Sequence, residues 1–342
     1  MPASIRHLIL DYWCLEEQTG NQCMFLSLLQ LLPNLQQVQM QFSLTKAMML
    51  NVGSFPSPFS ISSVRHLILN EMDFDTIAHL YSLFSCFEQL ETIAMSRIII
   101  KDISFPNHLA PSHRCYPSTL DLELNGSIIE HLFSPQSTIS LSSLRILKVV
   151  AVDADVFTVA SLLSLVNSSL ESLTLRLECW KYPAGSPIDL RQLRHLRNFS
   201  TCLRFYSALE PVDAVERWPS PLGHRFFETI PCSVEDIYIE VAVSPFDTSL
   251  LPKYRSDWQE LDHILARHPL RFTVRLGIYI DYGLAESEYE EYFDTQWSAY
   301  GGMEEYFPNF LRFECMPEMN KLGRVDSRIV KGEITLPPYI FY

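Results

Sequence analysis

The chain has 342 residues, more than one compact core usually holds, so it forms either two domains or one elongated array of repeats. Hydrophobic residues make up 47% and charged residues 19%, which excludes global disorder, and 11 Gly against 21 Pro favours short elements punctuated by Pro over a Gly-rich nucleotide-binding fold. A formal charge of −14 argues against nucleic acid as a partner, because phosphate affinity rests on Lys and Arg, and leaves a basic partner or simple solubility as its use.

The first residues, "MPASIRHLILDYW", lack the basic start, long apolar core and small-residue cleavage site of a secretory leader. No later apolar run approaches the roughly 18–20 residues that span a bilayer. A soluble intracellular protein, cytoplasmic or nuclear and without a membrane partner, is the expectation. Cysteines at 14, 23, 86, 115, 179, 202, 232 and 315 form no CxxC pair and no cluster with histidine, and read as small buried hydrophobes in a reducing compartment.

The stretch "SIRHLIL" at 4–10 returns as "SVRHLIL" at 63–69, displaced by 59 residues. Aligning the chain on this echo gives weaker copies of one pattern: apolar, two variable positions, apolar, one variable position, apolar. They are Ile5/Leu8/Leu10, Leu35/Val38/Met40, Val64/Leu67/Leu69, Leu90/Ile93/Met95, a degenerate Thr119/Leu122/Leu124, Leu144/Leu147/Val149 and Leu170/Leu173/Leu175. First positions lie 30, 29, 26, 29, 25 and 26 residues apart, a leucine-rich-repeat spacing.

Alternation over L-x-L puts one side of a brief strand inward and the other outward. Helix-like runs with apolar residues three and four apart follow the strands: "CMFLSLLQLLP" at 23–33, "TIAHLYSLFSCF" at 76–87 and "VFTVASLLSLV" at 156–166. One such unit cannot bury both its strand and its helix, so neighbours must stack into a continuous core. "LLPNL", "FSCFEQL" and "NSSLESL" supply the Pro, Asn and Ser that stop a helix before the next strand.

Beyond residue 180 the pattern loosens. "HLRNFSTCLRF" offers Leu196/Phe199 and then a polar Thr201, "CSVEDIYIEV" offers Val234/Ile237/Ile239, and "PLRFTVRLGIYI" is a strand with Phe272, Val274, Leu276 and Ile278 on one face. The insertions "KYPAGSPIDL" and "PVDAVERWPSPLGHRFFETIP" are Pro-rich loops suited to a function-bearing rim. From Asp281 through Glu305 come eight acidic residues and no Lys or Arg, interleaved with aromatics. A helix over "ESEYEEYFDTQWSAY" and another around "MPEMNKLGRV" are expected to close the array.

Together these features predict an α/β leucine-rich-repeat solenoid over 1–281, regular to about 180 and irregular after. A curved parallel sheet would line its concave face and helices its convex face, with 282–342 as an acidic, aromatic capping segment.

The irregular spacing of 25–30 residues, the "SSVRHLIL" and "SSLRILKV" strand openings, the "LLPNLQ" helix end and the late "DWQELDHILARHPLRFTVRLGI" segment resemble the leucine-rich-repeat F-box-type proteins of mushroom-forming fungi. The resemblance covers most of the chain. It implies the substrate-recognition part of a cullin-based ubiquitin ligase, in which F-box helices dock on the Skp adaptor and the repeats hold the protein to be ubiquitylated. An F-box is not visible ahead of the first strand pattern, which starts at Ser4, so the Skp adaptor is a partner only if the natural gene encodes one upstream. The alternative is a stand-alone leucine-rich-repeat scaffold.

The outward positions of the strands are the candidate protein-binding face: His7, Ile9, Gln37, Gln39, His66, Ile68, Thr92, Glu123, Lys148 and Thr174. His7 and His66 stand two strands apart, about 10 Å, too far to share a metal ligated at about 2 Å. No metal or cofactor is expected. A second candidate is an acidic-aromatic docking site made of Glu286, Glu288, Tyr289, Glu290, Glu291, Tyr292 and Trp297, where aromatics would anchor and carboxylates steer a basic partner. "GHRFFE" supplies His224 and "ESEYEE" carboxylates within 286–291, but no catalytic motif frames them, so a non-catalytic interaction module is the reading and an enzyme of unknown reaction, using His224 with one of those carboxylates, the third alternative.

Overall fold

A computed structural model describes residues 5–11, 29–41, 61–103, 114–123, 126–134, 137–152, 156–178, 188–205, 225–243, 251–269, 272–280 and 303–330. The fold is α/β, built on an eleven-stranded parallel sheet with helices. Thirteen strands are described: β1 His7–Asp11, β2 Gln37–Gln41, β3 His66–Asn70, β4 Asp73–Thr76, β5 Thr92–Ser96, β6 Ile99–Asp102, β7 Thr119–Glu123, β8 Ile146–Val152, β9 Ser172–Glu178, β10 Asn198–Phe205, β11 Asp236–Val243, β12 Thr273–Ile280 and β13 Val325–Ile329. The large sheet runs β1-β2-β3-β5-β7-β8-β9-β10-β11-β12-β13, and β4 pairs with β6 in a second, two-stranded parallel sheet. The chain divides into two compact units, Met1–Ser172 and Leu173–Tyr342.

In the first unit each strand pairs in parallel with the next in register, so that His7, Gln37, His66, Thr92, Thr119 and Ile146 form one row across it. The residues one position on are its core. Val38, Leu67, Ile93, Leu120 and Leu147 are fully buried, as are Leu69 and Leu122, while Met40, Met95 and Val149 are all but buried. The alternation follows from the period of two along a strand and places the remaining side chains on the opposite face.

One backbone contact recurs at the starts of β2, β3, β5, β7, β8 and β9. The carbonyl of Arg6 accepts from the N–H groups of Gln36 and Gln37 at 2.8 and 3.0 Å, that of Gln36 from Arg65 and His66, and that of Arg65 from Glu91 and Thr92. The series continues from Glu91 to Ser118 and Thr119, from Ser118 to Arg145 and Ile146, and from Arg145 to Glu171 and Ser172. Each turn into a strand is thereby tied to the strand before it, and each of these donors has its acceptor.

Three helices accompany these strands. Helix α1, Ile77–Ser85, opens on Thr76, whose side chain accepts from the His79 N–H at 3.4 Å, and buries Ile77, Leu80, Tyr81, Leu83 and Phe84. Helix α2 spans Gly126–Leu132. Helix α3, Val156–Leu165, buries Val156, Val159, Leu162 and Leu163, and the Thr158 hydroxyl donates to Glu130 on α2 at 3.2 Å. The runs at 76–87 and 156–166 are thus helices, while most of the run at 23–33 lies outside the described residues.

Two features of this unit differ from the sequence expectation, and a third carried no sequence signal. The degenerate copy aligns as Pro117/Leu120/Leu122, with Thr119 and Asp121 facing away from the core, because Leu120 pairs with Ile93 and Leu147. Ile5 is 39% exposed and Leu8 half-buried, since among the described residues β1 has a neighbouring strand on one side only. Glu71 and Arg97 take left-handed backbone with φ of 54° and 51°, turning the chain from β3 into β4 and from β5 into β6. Side chains carrying a Cβ rarely sit there. Here the N–H of Glu71 reaches the Ser96 carbonyl at 3.0 Å and that of Arg97 the Glu123 carbonyl at 3.1 Å.

In the second unit β10, β11 and β12 pair in parallel over eight residues each, and β13 adds to β12. Phe272, Val274, Leu276 and Ile278 are buried on one face of β12 as the alternation demands. Thr201 is buried although polar, because its hydroxyl donates to the Leu175 carbonyl at 2.8 Å. Helix α4, Leu251–Arg267, turns Trp258, Leu261 and Leu265 into this core.

A polar stripe on α4 fastens the C-terminal elements, namely helix α5 (Met303–Asn309), the π-helical turn Phe310–Cys315 and helix α6 (Pro317–Lys321). Arg255 pairs with Glu314 at 2.5 Å, Gln259 donates to the Glu314 carbonyl at 3.0 Å, and His263 meets Glu318 at 3.2 Å. Asp262 is buried, and both its oxygens accept from backbone N–H groups, Glu318 at 2.6 Å and Met319 at 2.8 Å. Burial pushes this carboxyl above its ordinary range, and the two N–H bonds oppose that rise. The expected helix around 316–325 is therefore a short helix followed by β13, and the one over 286–300 lies outside the described residues.

Leu67→Ala is expected to cost about 2–5 kcal/mol of urea-measured stability, and Ile68→Ala, whose side chain faces out, well below that. Asp262→Ala should orphan the Glu318 and Met319 donors at about 1–3 kcal/mol each. Native-state hydrogen exchange reads this directly, and unchanged protection of those two amides would sink the assignment.

Candidate functional site

The outward face of the first unit consists of three rows. The first is His7, Gln37, His66, Thr92, Thr119 and Ile146; the second is Ile9, Gln39, Ile68, Ala94, Asp121 and Lys148; the third starts at Asp11 and runs through Gln41, Asn70, Ser96, Glu123 and Val150. Of the sequence-derived candidates, His7, Ile9, Gln37, Gln39, His66, Ile68, Thr92 and Lys148 share this face in the first two rows. Glu123 lies in the third row. Thr174 belongs to β9 in the second unit, between buried Leu173 and Leu175, and is half-buried.

The face is not uniform. Across β1, β2, β3 and β5 the first two rows contain no formally charged residue, and the third adds Gln41, Asn70 and Ser96, with Asp11 at its β1 edge. Ile9 is 64% exposed. Ser96 donates to Asn70 at 3.0 Å, and the Gln39 amide donates to Gln41 at 3.3 Å. Within the first two rows charge begins at β7 and β8, where Lys148 faces Asp121 at 3.5 Å.

Charged pairs also border the field at both strand ends. Arg65 pairs with Glu91 at one end. At the other, Arg97 donates to Glu71 at 2.6 Å and faces Glu123 at 3.7 Å. These pairs are at least partly solvated and contribute little stability each. Their effect is to cancel charge along the β3 and β5 borders of the uncharged field, with Arg6 and Asp11 at the two ends of β1, and depletion of charge at the centre of a patch marks protein interfaces.

Sequence reasoning missed Gln41, Asn70, Ser96, Thr119 and Asp121. "TLDLEL" alternates over three leucines and fits two registers, but Pro117 lies 27 residues from both Leu90 and Leu144. That even spacing selects Leu120 and Leu122 as core and Asp121 as outward.

The second unit carries a cluster with no sequence signal. Arg176 of β9 donates to both oxygens of Glu240 on β11, at 2.8 and 3.1 Å, with side chains only 16% and 13% exposed. Cys202 of the intervening β10 pairs in register with Glu240. On the neighbouring strands Arg275 pairs with Asp236. The Tyr238 hydroxyl lies where a side chain on Gly277 would begin, so the ring occupies space that only glycine leaves open.

His224 and the whole acidic-aromatic candidate, Glu286, Glu288, Tyr289, Glu290, Glu291, Tyr292 and Trp297, lie outside the described residues, as do the "KYPAGSPIDL" insertion up to Pro187 and "PVDAVERWPSPLGH". Among the described residues no group of three or more His, Cys, Asp or Glu side chains could hold a metal ion. No helix among them is long and apolar enough to cross a membrane.

Cys86, Cys115, Cys232 and Cys315 are free thiols. Burial pushes the Cys86 thiol up to about 11 and the Cys115 and Cys315 thiols up to about 12. All three stay protonated at neutral pH and are poor nucleophiles. Iodoacetamide labelling of the folded chain, mapped by mass spectrometry, should therefore modify exposed Cys232 before Cys86, Cys115 and Cys315, which are spared until denaturant is added. No protein-family model matches the chain, and no curated protein matches it in sequence.

Proposed function

We propose that this chain is a non-catalytic protein-interaction module of leucine-rich-repeat type, and that it serves as the substrate-recognition part of an F-box-type receptor in a cullin-based ubiquitin ligase. The observation that carries the binding reading is the outward face of the first unit, where rows of Gln, Asn, Ser, Thr and exposed Ile surround no acid, base and nucleophile arranged for chemistry. The recurrent tie from one strand start to the next, at intervals of 26 to 30 residues, supports the repeat assignment.

The ligase role rests on the family resemblance of the strand openings and helix ends. In it the face holds a protein for modification while a separate segment contacts the Skp adaptor, so binding and ubiquitin transfer are done by different polypeptides. A stand-alone scaffold uses the same face without the adaptor.

Affinity capture of the natural gene product from its native cells distinguishes the two. Recovery of Skp and cullin, with a further protein whose capture is lost on Ile68→Asp, is the expected result. Capture of that protein without Skp or cullin leaves the scaffold, and capture indifferent to every substitution on this face removes the face from the function.

A further inference from the structure

The two echoing heptapeptides flank one strand. In register, His7 of β1, Gln37 of β2 and His66 of β3 share a row, and Ile9, Gln39 and Ile68 share the next. The face is therefore a ladder of side-chain amides, Gln37, Gln39 and Gln41, with the same His-x-Ile pair on either side of it. We propose that this trough seats an extended, uncharged peptide segment of a partner protein, laid along β2 with its backbone on the three glutamines; this rests on the reading of the face as a protein-binding surface.

Three observations fix the chemistry of the occupant. The first is spacing. Alternate residues of a strand are separated by about 6.6 Å, and alternate peptide units of an extended ligand repeat at the same interval. Each glutamine can then meet one unit of the ligand. A glutamine amide offers both N–H and C=O, which is what a peptide unit needs, and the bond from Gln39 to Gln41 shows two of these amides already aligned along the strand.

The second is the apolar flank. Neighbouring strands lie about 4.8 Å apart, so side chains splayed from a peptide over β2 fall on Ile9 to one side and Ile68 to the other. Ile9 is 64% exposed, a large apolar side chain left in water until something covers it.

The third is charge. The chain as a whole carries −14, which would suit a basic partner, yet the two rows that hold Ile9 and Ile68 have no formal charge on these strands, and Asp11 stands only at the edge of the third. Arg65 and Glu71, which border the trough beside β3, are each paired, with Glu91 and Arg97. A charged ligand side chain set against Ile68 would lose water and meet only charges that are already paired, whereas an uncharged one matches the site.

The probe is a phage-displayed library of random dodecapeptides selected on the full chain. A recovered peptide is resynthesised with a fluorophore, and again with N-methyl groups on alternate residues. The expected peptide has no net charge, and its affinity changes less than about twofold between roughly 0.05 and 0.5 M salt. It should lose about tenfold or more in binding to Gln37→Ala/Gln39→Ala/Gln41→Ala, to Ile68→Asp, and on one of the two N-methylation patterns.

Circular dichroism confirms that the variants fold, and Gln39→Glu, which keeps the side chain's shape and adds a charge, provides a second route should the triple variant fail. Recovery of no binding peptide, or of charged peptides with steep salt dependence, overturns the inference. So does binding that survives the glutamine substitutions, or that ignores both N-methylation patterns. If a peptide instead depends on Asp121 and Lys148, the amide trough is wrong while the protein-binding reading of the face stands.

Discussion

The carbonyl that ends each approach to a strand accepts from two consecutive N–H groups of the next, and the first unit is organised by that contact from Arg6 through Ser172. Parallel strands cannot be joined by tight hairpins, so each needs a long return. Tying the start of each of these strands to the one before fixes register across a gap of some thirty residues. A slip by one residue would carry Val38, Leu67, Ile93, Leu120 and Leu147 to the outer face and bring Gln39, Ile68 and Asp121 inward. The burial of the first set and the outward placement of the second are thus one constraint seen from two sides.

That constraint leaves the outward face free to vary. No core contact depends on whether Gln39 is a glutamine or Ala94 an alanine, so composition there reflects what the surface meets. In β7 and β8 it is a solvated acid-base surface, Asp121 beside Lys148. In the first two rows of β1, β2, β3 and β5 it is amide, hydroxyl, imidazole and aliphatic. The same sheet therefore presents two chemistries, divided between β5 and β7. Beyond the strand ends the left-handed Glu71 and Arg97 place opposite charges against one another and carry the chain into the second small sheet.

The parts legible in the sequence were those that depend on alternation and helical period. "PLRFTVRLGIYI" admits one buried face, and "TIAHLYSLFSCF" and "VFTVASLLSLV" admit one helix each. What failed was decided elsewhere. The register of "TLDLEL" depends on neighbours supplied by the adjacent strands, Ile93 and Leu147, which lie 27 positions away on either side of Leu120, while "TLDLEL" itself fits two ways. The half-burial of Leu8 depends on β1 having one neighbouring strand among the described residues. The Arg176–Glu240 pair spans an intervening strand between positions 64 apart, a relation no local pattern encodes.

That pair also sharpens the contrast with the trough. Two opposite charges held at 16% and 13% exposure lose most of their water, and removing Arg176 would leave the Glu240 carboxylate half-buried without this cation. Glu240 is therefore held by Arg176, as Asp236 is by Arg275. Gln37, Gln39 and Gln41 face the opposite situation. A solvated amide exchanges water for a peptide group at little cost, because neither state leaves it without a partner. A surface built from such groups binds reversibly and relies on apolar neighbours such as Ile9 and Ile68 for net affinity, so the glutamines set alignment and the isoleucines supply the driving force.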